Sequence, residues 1–455
     1  MKFGGTSVED AVAIRRLIEI VKQERHRQPL VVVSACAGVT NELLRAAQTV
    51  RGGDKSKALQ TLKGIKARHK QIASDLLSGE LLNSVNDKID ELIQELQNFV
   101  QGVYLLGELT PRSIDSFASL GEQFSSLIIQ TAMNHHGLDA ELLDARSVMF
   151  TDSTFTLALP KMERVAEKAK EIILPLIASS KIVVTQGFIG ATEDGITTTI
   201  GRGGSDLSAS IFGSVLDAEE IQIWTDVDGM MSADPRFIPE AHLIDVMSFA
   251  EASELTYFGA KVLHPRTILP AVEKKIPVRV LNSKSPEVRG TLIVPDVSIE
   301  MTSKSEVIKS IAFKKGITVI NVNSSRMLMA HGFLAKLFSI FEEFKKSVDV
   351  VATSEVSVSL TVDSEEQMQE IVLALQKIGD VQIKQQKAIV CIVGEGMRNA
   401  KGTGARIFGA LGKAEVNIEM VSEGASEINL TLVVDEQDVA KAVRALHDEF
   451  FGNRN

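Results

Sequence analysis

The sequence predicts an α/β protein: an open, mainly parallel sheet with helices on both faces, followed by two small α+β units of βαββαβ plan. Three observations carry this. Largely apolar runs such as Pro29-Leu30-Val31-Val32-Val33-Ser34 and Ile182-Val183-Val184-Thr185 suit strands buried on both faces, as in parallel sheets. Those runs end in loops of small residues that lead into helical periodicity, the order of strand–helix units. From about residue 308 the texture changes to short alternating strands and amphipathic helices, and segments repeat after about seventy residues.

With 455 residues the chain has room for two to four domains. Its net charge of −10 and its 5% aromatic content argue against a nucleic-acid or anionic-membrane surface. Cys36 and Cys391 are too few for a disulfide framework or a zinc site, and both fall in apolar runs that suit buried packing in a reducing cytosol. No apolar run approaches membrane-spanning length, and early charges (Lys2, Glu9, Asp10) rule out a signal peptide.

Lys2-Phe3-Gly4-Gly5-Thr6-Ser7 sets a lysine beside a diglycine turn at a helix start. It is not a Walker A loop, because the lysine precedes the glycines. With only Met1 before it, the leading strand is either very short or begins upstream. The Pro29–Ser34 strand ends in Ala35-Cys36-Ala37-Gly38-Val39-Thr40-Asn41, which places Ser34 and Thr40 at a strand's carboxyl end, where open α/β sheets bind ligands. Residues 52 to about 115 read as a helical insertion beside the sheet. Ser119-Leu120-Gly121-Glu122 is read as the start of the next helix, with Glu122 in its first turn.

After Ile182–Thr185, Gln186-Gly187-Phe188-Ile189-Gly190 is read as a closing loop. Then comes the stretch with the densest chemistry. Thr197-Thr198-Thr199 breaks into Ile200-Gly201-Arg202-Gly203-Gly204-Ser205-Asp206, with Ser205 or Asp206 read as the cap of the helix that follows. Backbone N–H groups and a helix N-terminus then face one spot, a seat for anionic oxygen, and Arg202 can fork onto a carboxylate or phosphate. Ile221–Thr225 forms a strand with Thr225-Asp226 at its carboxyl end, and Asp234-Pro235-Arg236 follows in a turn. Phe258-Gly259-Ala260-Lys261 adds a further lysine beside a glycine. Pro277–Leu281 and Thr291–Val294 are the last strands of this half.

In the C-terminal half, Gly332-Phe333-Leu334-Ala335-Lys336-Leu337-Phe338 matches Gly402-Thr403-Gly404-Ala405-Arg406-Ile407-Phe408, and Val348-Asp349-Val350 matches Val416-Asn417-Ile418. This signals duplicated units. The second copy lacks its last strand, and Val307–Phe313 stands unclaimed before the first. That strand is expected to complete the second copy, so that one unit is inserted in the other.

Lys2–Ser7, Gly201–Asp206, Trp224-Thr225-Asp226-Val227 and Phe258–Pro265, in this order and with a duplicated tail, resemble the aspartokinases. The resemblance implies an amino-acid-kinase fold over 1–297, a linker, orphan strand and first ACT domain over 298–386, and a second ACT domain over 387–455. It implies ATP-dependent phosphorylation of the L-aspartate β-carboxylate, the first step of lysine, threonine and methionine biosynthesis, by a cytoplasmic enzyme. Lys2 and Asp206 are its implied catalytic residues. Ser34, Thr40, Glu122, Arg202 and Ser205 would take aspartate, Arg202 its α-carboxylate and Glu122 its ammonium. Gly4, Gly5, Thr225, Asp226, Met231, Arg236 and Lys261 would hold ATP, with Mg²⁺ bridging its phosphates and no protein metal site. Met231 departs from the tyrosine common in the family. The resemblance further implies feedback by L-lysine at Met327, Ala330, Phe333, Leu334, Val348, Asp349, Thr353, Ser354 and Glu355, with Ala330 in place of an expected serine. A homodimer through the ACT domains, or a tetramer, is the implied assembly. A non-catalytic amino-acid sensor is the alternative, and the intact Lys2, Arg202 and Asp206 speak against it.

Overall fold

The computed structural model describes residues 1–258, 263, 265–297, 307–327, 331–424 and 428–452. They form two compact units. The first comprises Met1–Gly229, Asp245–Met247 and Val262–Asp296, the second Met230–Ile244, Ser248–Lys261 and Val297–Asn455.

The first unit is built on strands β1 (Lys2–Phe3), β2 (Leu30–Val33), β3 (Ala140–Leu143), β4 (Ile182–Gln186), β5 (Ile189–Ala191), β6 (Thr197–Thr199), β7 (Ile221–Thr225), β8 (Val246–Ser248), β9 (Val278–Asn282) and β10 (Thr291–Val294). Eight of them make one sheet in the order β3-β4-β2-β1-β7-β9-β10-β8, and β5 and β6 form a separate pair. β2 pairs parallel with β4 and β7 with β9, as buried strands predict, while β10 joins β9 antiparallel. β1 contains Lys2 itself. Lys2 lies level with Val32 on one side and Ile223 on the other, and Phe3, fully buried, stacks on Trp224 at 5.9 Å.

The helical insertion consists of Lys55–Leu76 and Gly79–Leu106. Leu62, Ile65 and Ile72 on the first, and Val85, Ile89, Ile93, Leu96 and Val100 on the second, recur at helical spacing in the buried core. Each full burial of such a side chain contributes about 1.5–3 kcal/mol. The next helix does not begin at Ser119. It runs from Pro111 to His135, with the Thr110 side chain accepting from Ser113 N and proline at the first position. Glu122 therefore lies in mid-helix rather than in a first turn. A Cβ at Gly121 would meet the Ala35 Cβ at 2.8 Å, so the glycine lets a loop approach.

Two further readings change. Ile189–Ala191 is a strand of the β5–β6 pair, not a closing loop. Gly190 misleads because it marks a close backbone approach: a Cβ would lie 2.5 Å from the Met149 carbonyl oxygen. The Gly204–Val215 helix is capped by neither Ser205 nor Asp206. Gly203, at φ 73°, occupies the cap, and no side chain caps the helix, so both polar residues fall in its first turn and are free for other partners.

The second unit carries a six-stranded sheet of β11 (Ser310–Asn323), β12 (Val351–Thr353), β13 (Ser357–Val362), β14 (Asp380–Val393), β15 (Met420–Glu423) and β16 (Asn429–Asp435), in the order β12-β13-β11-β14-β16-β15. β11 and β14 are each 14 residues long and antiparallel. Ser310–Lys314 lies against Ile389–Val393, which β16 flanks, whereas Ile317–Asn323 lies against 380–387 beside β13. A register shift between Lys314 and Val319, with Gly316 at φ 74° and Gln386 at φ 55°, marks the junction of the two repeats. Residues 386 and 387 thus belong to one continuous strand.

Met230–Ile244 and Ser248–Lys261 cluster with this unit although they precede residue 297. The physical ties are specific. Glu251, fully buried, pairs with Lys309 at 2.8 Å and accepts from the Glu395 N–H. The Ser310 hydroxyl donates to the Met231 carbonyl, and Ala233 and Ile238 join the core around Ile407, Leu411 and Leu432. Among the described residues, no helix is long and apolar enough to cross a membrane.

Candidate active site

The carboxyl ends of β1, β2, β4, β7 and β9 lie side by side, and each delivers a short polar or glycine-bearing segment. Lys2 reaches the first turn of the Gly204–Val215 helix and pairs with Asp206 at 2.6 Å; their side chains are 10% and 16% exposed. Gly4 and Gly5 follow. A Cβ at Gly4 would stand 3.5 Å from the Lys2 Nζ, and one at Gly5 3.1 Å from the Ala35 carbonyl. On the other side, a Cβ at Gly187 would lie 2.7 Å from the Ser205 Cα. Close backbone approach around one lysine, at the head of a 12-residue helix, is the kind of cradle that anionic oxygen needs.

Beside it is a second polar centre. Glu122 is buried, accepts from the Ala35 backbone N–H, and is pushed up to about 8 by loss of solvent. Its Oε2 has no partner among the described residues. The neighbouring loop is tied to the same helix, for the Ser125 hydroxyl donates to the Ser34 carbonyl at 2.7 Å. The Thr40 hydroxyl would sit 3.6 Å from a Cβ at Gly121. Ser34, Thr40 and Glu122 are thus brought together. Arg202 is exposed between Gly201 (φ 81°) and Gly203 (φ 73°) and makes no ion pair among the described residues.

At the end of β7, the Thr225 hydroxyl donates to Asp226 at 3.3 Å. The Ser283 hydroxyl lies 3.0 Å from the Thr225 carbonyl and 2.8 Å from the Ser7 hydroxyl. Sequence reasoning does not single out Ser7 and Ser283, yet they bridge the β1 turn to β7 and β9. A signal for Ser283 exists: Asn282-Ser283 follows the apolar β9 run as Ser34 follows β2. Met231 and Arg236 fall in the second unit, where Arg236 is exposed and forks onto Asp234 at 3.0 and 2.6 Å. The fork holds the Asp234 carboxyl below its ordinary range. Lys261 lies outside the described residues.

Of the residues assigned to an effector, Phe333 is in the core of the first repeat, with Met327 and Val348 packed against that core. Leu334 is exposed, Thr353 ends β12, and the Ser354 hydroxyl meets Ser357 at 2.7 Å beside exposed Glu355. Asp349, 2% exposed, pairs with Lys314 at 3.0 Å and accepts from the Tyr257 hydroxyl at 2.6 Å. Ala330 lies outside the described residues. Neither Lys314 nor Tyr257 is legible as a partner in the sequence, because both are distant along the chain.

A family model described as the amino acid kinase family matches residues 1–282, and one described as an ACT domain matches 390–450. The lysine-sensitive aspartokinase 3 of Escherichia coli is 36% identical over 458 residues, covering 99% of this chain and 98% of that protein. Aspartokinase 1, chloroplastic, of Arabidopsis thaliana is 36% identical and is covered over 80% of its length. Two crystal structures of the E. coli aspartokinase III match over 99% of this chain: one with aspartate and ADP (R-state), TM-score 0.83, and one with lysine and aspartate (T-state), TM-score 0.82. With kinase and regulatory halves both matched end to end, the chain belongs to the amino acid kinase family and, within it, to the aspartokinases.

Proposed function

We propose that this protein transfers the γ-phosphoryl group of ATP to the β-carboxylate of L-aspartate, giving 4-phospho-L-aspartate and ADP, and that L-lysine restrains it through the C-terminal unit. The observation that carries the reading is the nearly buried Lys2–Asp206 pair at a glycine cradle, beside a carboxylate, Glu122, that has no cationic partner among the described residues. The aspartate and ADP held by the E. coli relative in its R-state support the same assignment.

The acceptor carboxylate is ionised at neutral pH, its reference pKa being about 3.9, so transfer needs no general base. One carboxylate oxygen attacks the γ-phosphorus as the bond to the β,γ-bridging oxygen breaks, and the electron pair leaves on ADP. Lys2 neutralises charge on the transferring group, and Asp206 orients the ammonium. Arg202 takes the α-carboxylate, Glu122 the α-ammonium, and Ser34, Thr40 and Ser205 line the same side. Gly4, Gly5, Thr225 and Asp226 take the nucleotide. Among the described residues no cluster of three His, Cys, Asp or Glu side chains could hold a metal. Mg²⁺ would be carried by the ATP phosphates, where it neutralises charge. A dimer through the C-terminal repeats, or a tetramer, and a cytosolic location complete the reading.

Hydroxylamine trapping of the acyl phosphate, with aspartate, ATP and Mg²⁺, tests the reaction directly; no hydroxamate above a no-enzyme control would overturn it. Arg202→Ala and Glu122→Ala are each expected to raise the aspartate KM about 10–100-fold, the equivalent of a charged hydrogen bond of about 1.5–3 kcal/mol. The ATP KM should stay within about threefold. Equal rises for both substrates would place these residues on the wrong ligand.

The pH behaviour of Glu122 is a second expected result. Its folded value, about 8, lies above its ordinary 4.5, so between these values the folded chain holds the proton more firmly than the unfolded chain. The neutral group is thus tolerated at low pH, and stability falls as pH rises through that window. An α-ammonium placed against Glu122 favours the ionised form. Aspartate binding at pH 7 should therefore release a proton from this site, read by calorimetry in buffers of different ionisation enthalpy. The release should vanish in Glu122→Gln. An unchanged release in that variant would sink the assignment.

A further inference from the structure

Asp115 lies on the Pro111–His135 helix seven residues before Glu122, so both carboxylates occupy one face of the same helix. It is fully buried and has no cationic partner among the described residues; its oxygens are spent on two loops instead. Oδ1 accepts from the Thr199 hydroxyl at 2.6 Å, and Oδ2 from the Thr199 N–H at 3.0 Å and the Thr156 N–H at 2.9 Å. Thr199 ends β6 and stands directly before Ile200-Gly201-Arg202. Thr156 has φ 70°, an outlier for a β-branched residue, and such strain persists only where the surroundings impose it.

The two loops also brace each other. The Ala158 N–H donates to the Thr199 carbonyl at 2.9 Å. A Cβ at Gly201 would meet the Leu157 Cδ1 at 2.6 Å, so Leu157 packs directly on the glycine preceding Arg202. One buried carboxylate therefore fixes both walls of the loop that carries Arg202, and it does so from the helix that carries Glu122.

We propose that Asp115 is a positioning residue for the amino-acid substrate, setting Arg202 at the distance from Glu122 that the α-carboxylate and α-ammonium of one amino acid require. The inference rests on the reading that Arg202 and Glu122 hold aspartate. Asp115 touches no substrate; it acts through the 199–202 backbone. An amide in its place keeps the shape but gives up the charge and one of the two acceptor oxygens, which weakens the hold on Thr199 and Thr156.

Asp115→Asn in the full chain is expected to raise the aspartate KM at least tenfold, with kcat and the ATP KM within threefold of wild type. In an Arg202→Ala background the same substitution should change the aspartate KM less than twofold, because its effect runs through that arginine. Thr199→Val, which removes only the hydroxyl donor, should reproduce the pattern in weaker form and decides the matter if Asp115→Asn does not fold. An aspartate KM within twofold of wild type, an equal rise in the ATP KM, or effects that multiply in the double variant would each overturn the proposal. If Arg202→Ala alone leaves the aspartate KM unchanged, the underlying reading fails as well. If it raises the KM and Asp115→Asn does not, only the positioning role falls.

Discussion

Lys2→Ala is expected to lower turnover by about 10²–10³-fold or more, the usual loss when a preorganised charge facing the transition state is removed, with aspartate affinity within about twofold of wild type. The lysine sits on the two-residue strand β1, hydrogen-bonded on both sides by β2 and β7, so its Cα cannot drift. Its ammonium is fixed 2.6 Å from Asp206 in a nearly buried setting, where a charge acts more strongly than in water. Losing it leaves the Asp206 carboxylate facing an incoming phosphoryl group with no intervening cation. Lys2→Arg should rescue little, because a longer, planar guanidinium cannot put its charge at the point the ammonium holds 2.6 Å from Asp206. The checks are single-turnover acyl-phosphate formation, calorimetry with aspartate, and circular dichroism to establish the fold. Turnover within tenfold of wild type in a folded Lys2→Ala variant would remove the lysine from the chemistry.

Which features the amino-acid sequence reveals follows a physical division. Strands buried on both faces announce themselves by composition, so β2, β4, β7 and β9 are legible from Leu30–Val33, Ile182–Thr185, Ile221–Thr225 and Pro277–Leu281. Loops at their carboxyl ends are legible too, because glycines and small polar residues have few other reasons to follow such runs. The duplicated tail is legible because repetition is a property of sequence. Helix starts are not. Glu122 has the local setting of a first-turn acid and Asp206 that of a cap, but Thr110-Pro111 opens one helix and Gly203 caps the other. Asp206 is the residue that lies in a first turn, and there it pairs with Lys2 instead of capping.

The larger gaps are partnerships over long sequence distance. Asp115 reads as an ordinary helix acid until Thr156 and Thr199 are brought to it. Glu251 closes a capping box with Ser248, and nothing local reveals Lys309. These contacts come from tertiary packing, and no periodicity encodes them. They also explain why Ser248–Lys261 goes with the second unit, since a buried carboxylate must follow its cation.

Asp349→Ala is expected to raise the lysine concentration needed for half-inhibition about 10–100-fold, the equivalent of losing a charge-assisted hydrogen bond of about 1.5–3 kcal/mol, and to leave uninhibited turnover near normal. The side chain is already arranged around an ammonium group. Lys314 pairs with Asp349 at 3.0 Å and with Asp363 at 2.8 Å, while its Nζ lies 5.5 Å from the Tyr257 ring centre. An incoming ammonium can take Asp349 because Lys314 retains Asp363. The matching position of the second repeat is Asn417, which carries no charge, so the two repeats should differ in affinity for a cationic ligand. Distant inhibition requires lysine to bind one global state better than another, a coupling usually of about 1–3 kcal/mol, and Tyr257, which donates to Asp349 at 2.6 Å, is a contact such a ligand would compete with. Calorimetry with lysine on the wild type and Asp349→Ala, beside inhibition curves for both, decides the matter. If the variant binds lysine as tightly as the wild type, the carboxylate is not the effector's partner, and Asp349 serves only to hold Lys314 and Tyr257 together.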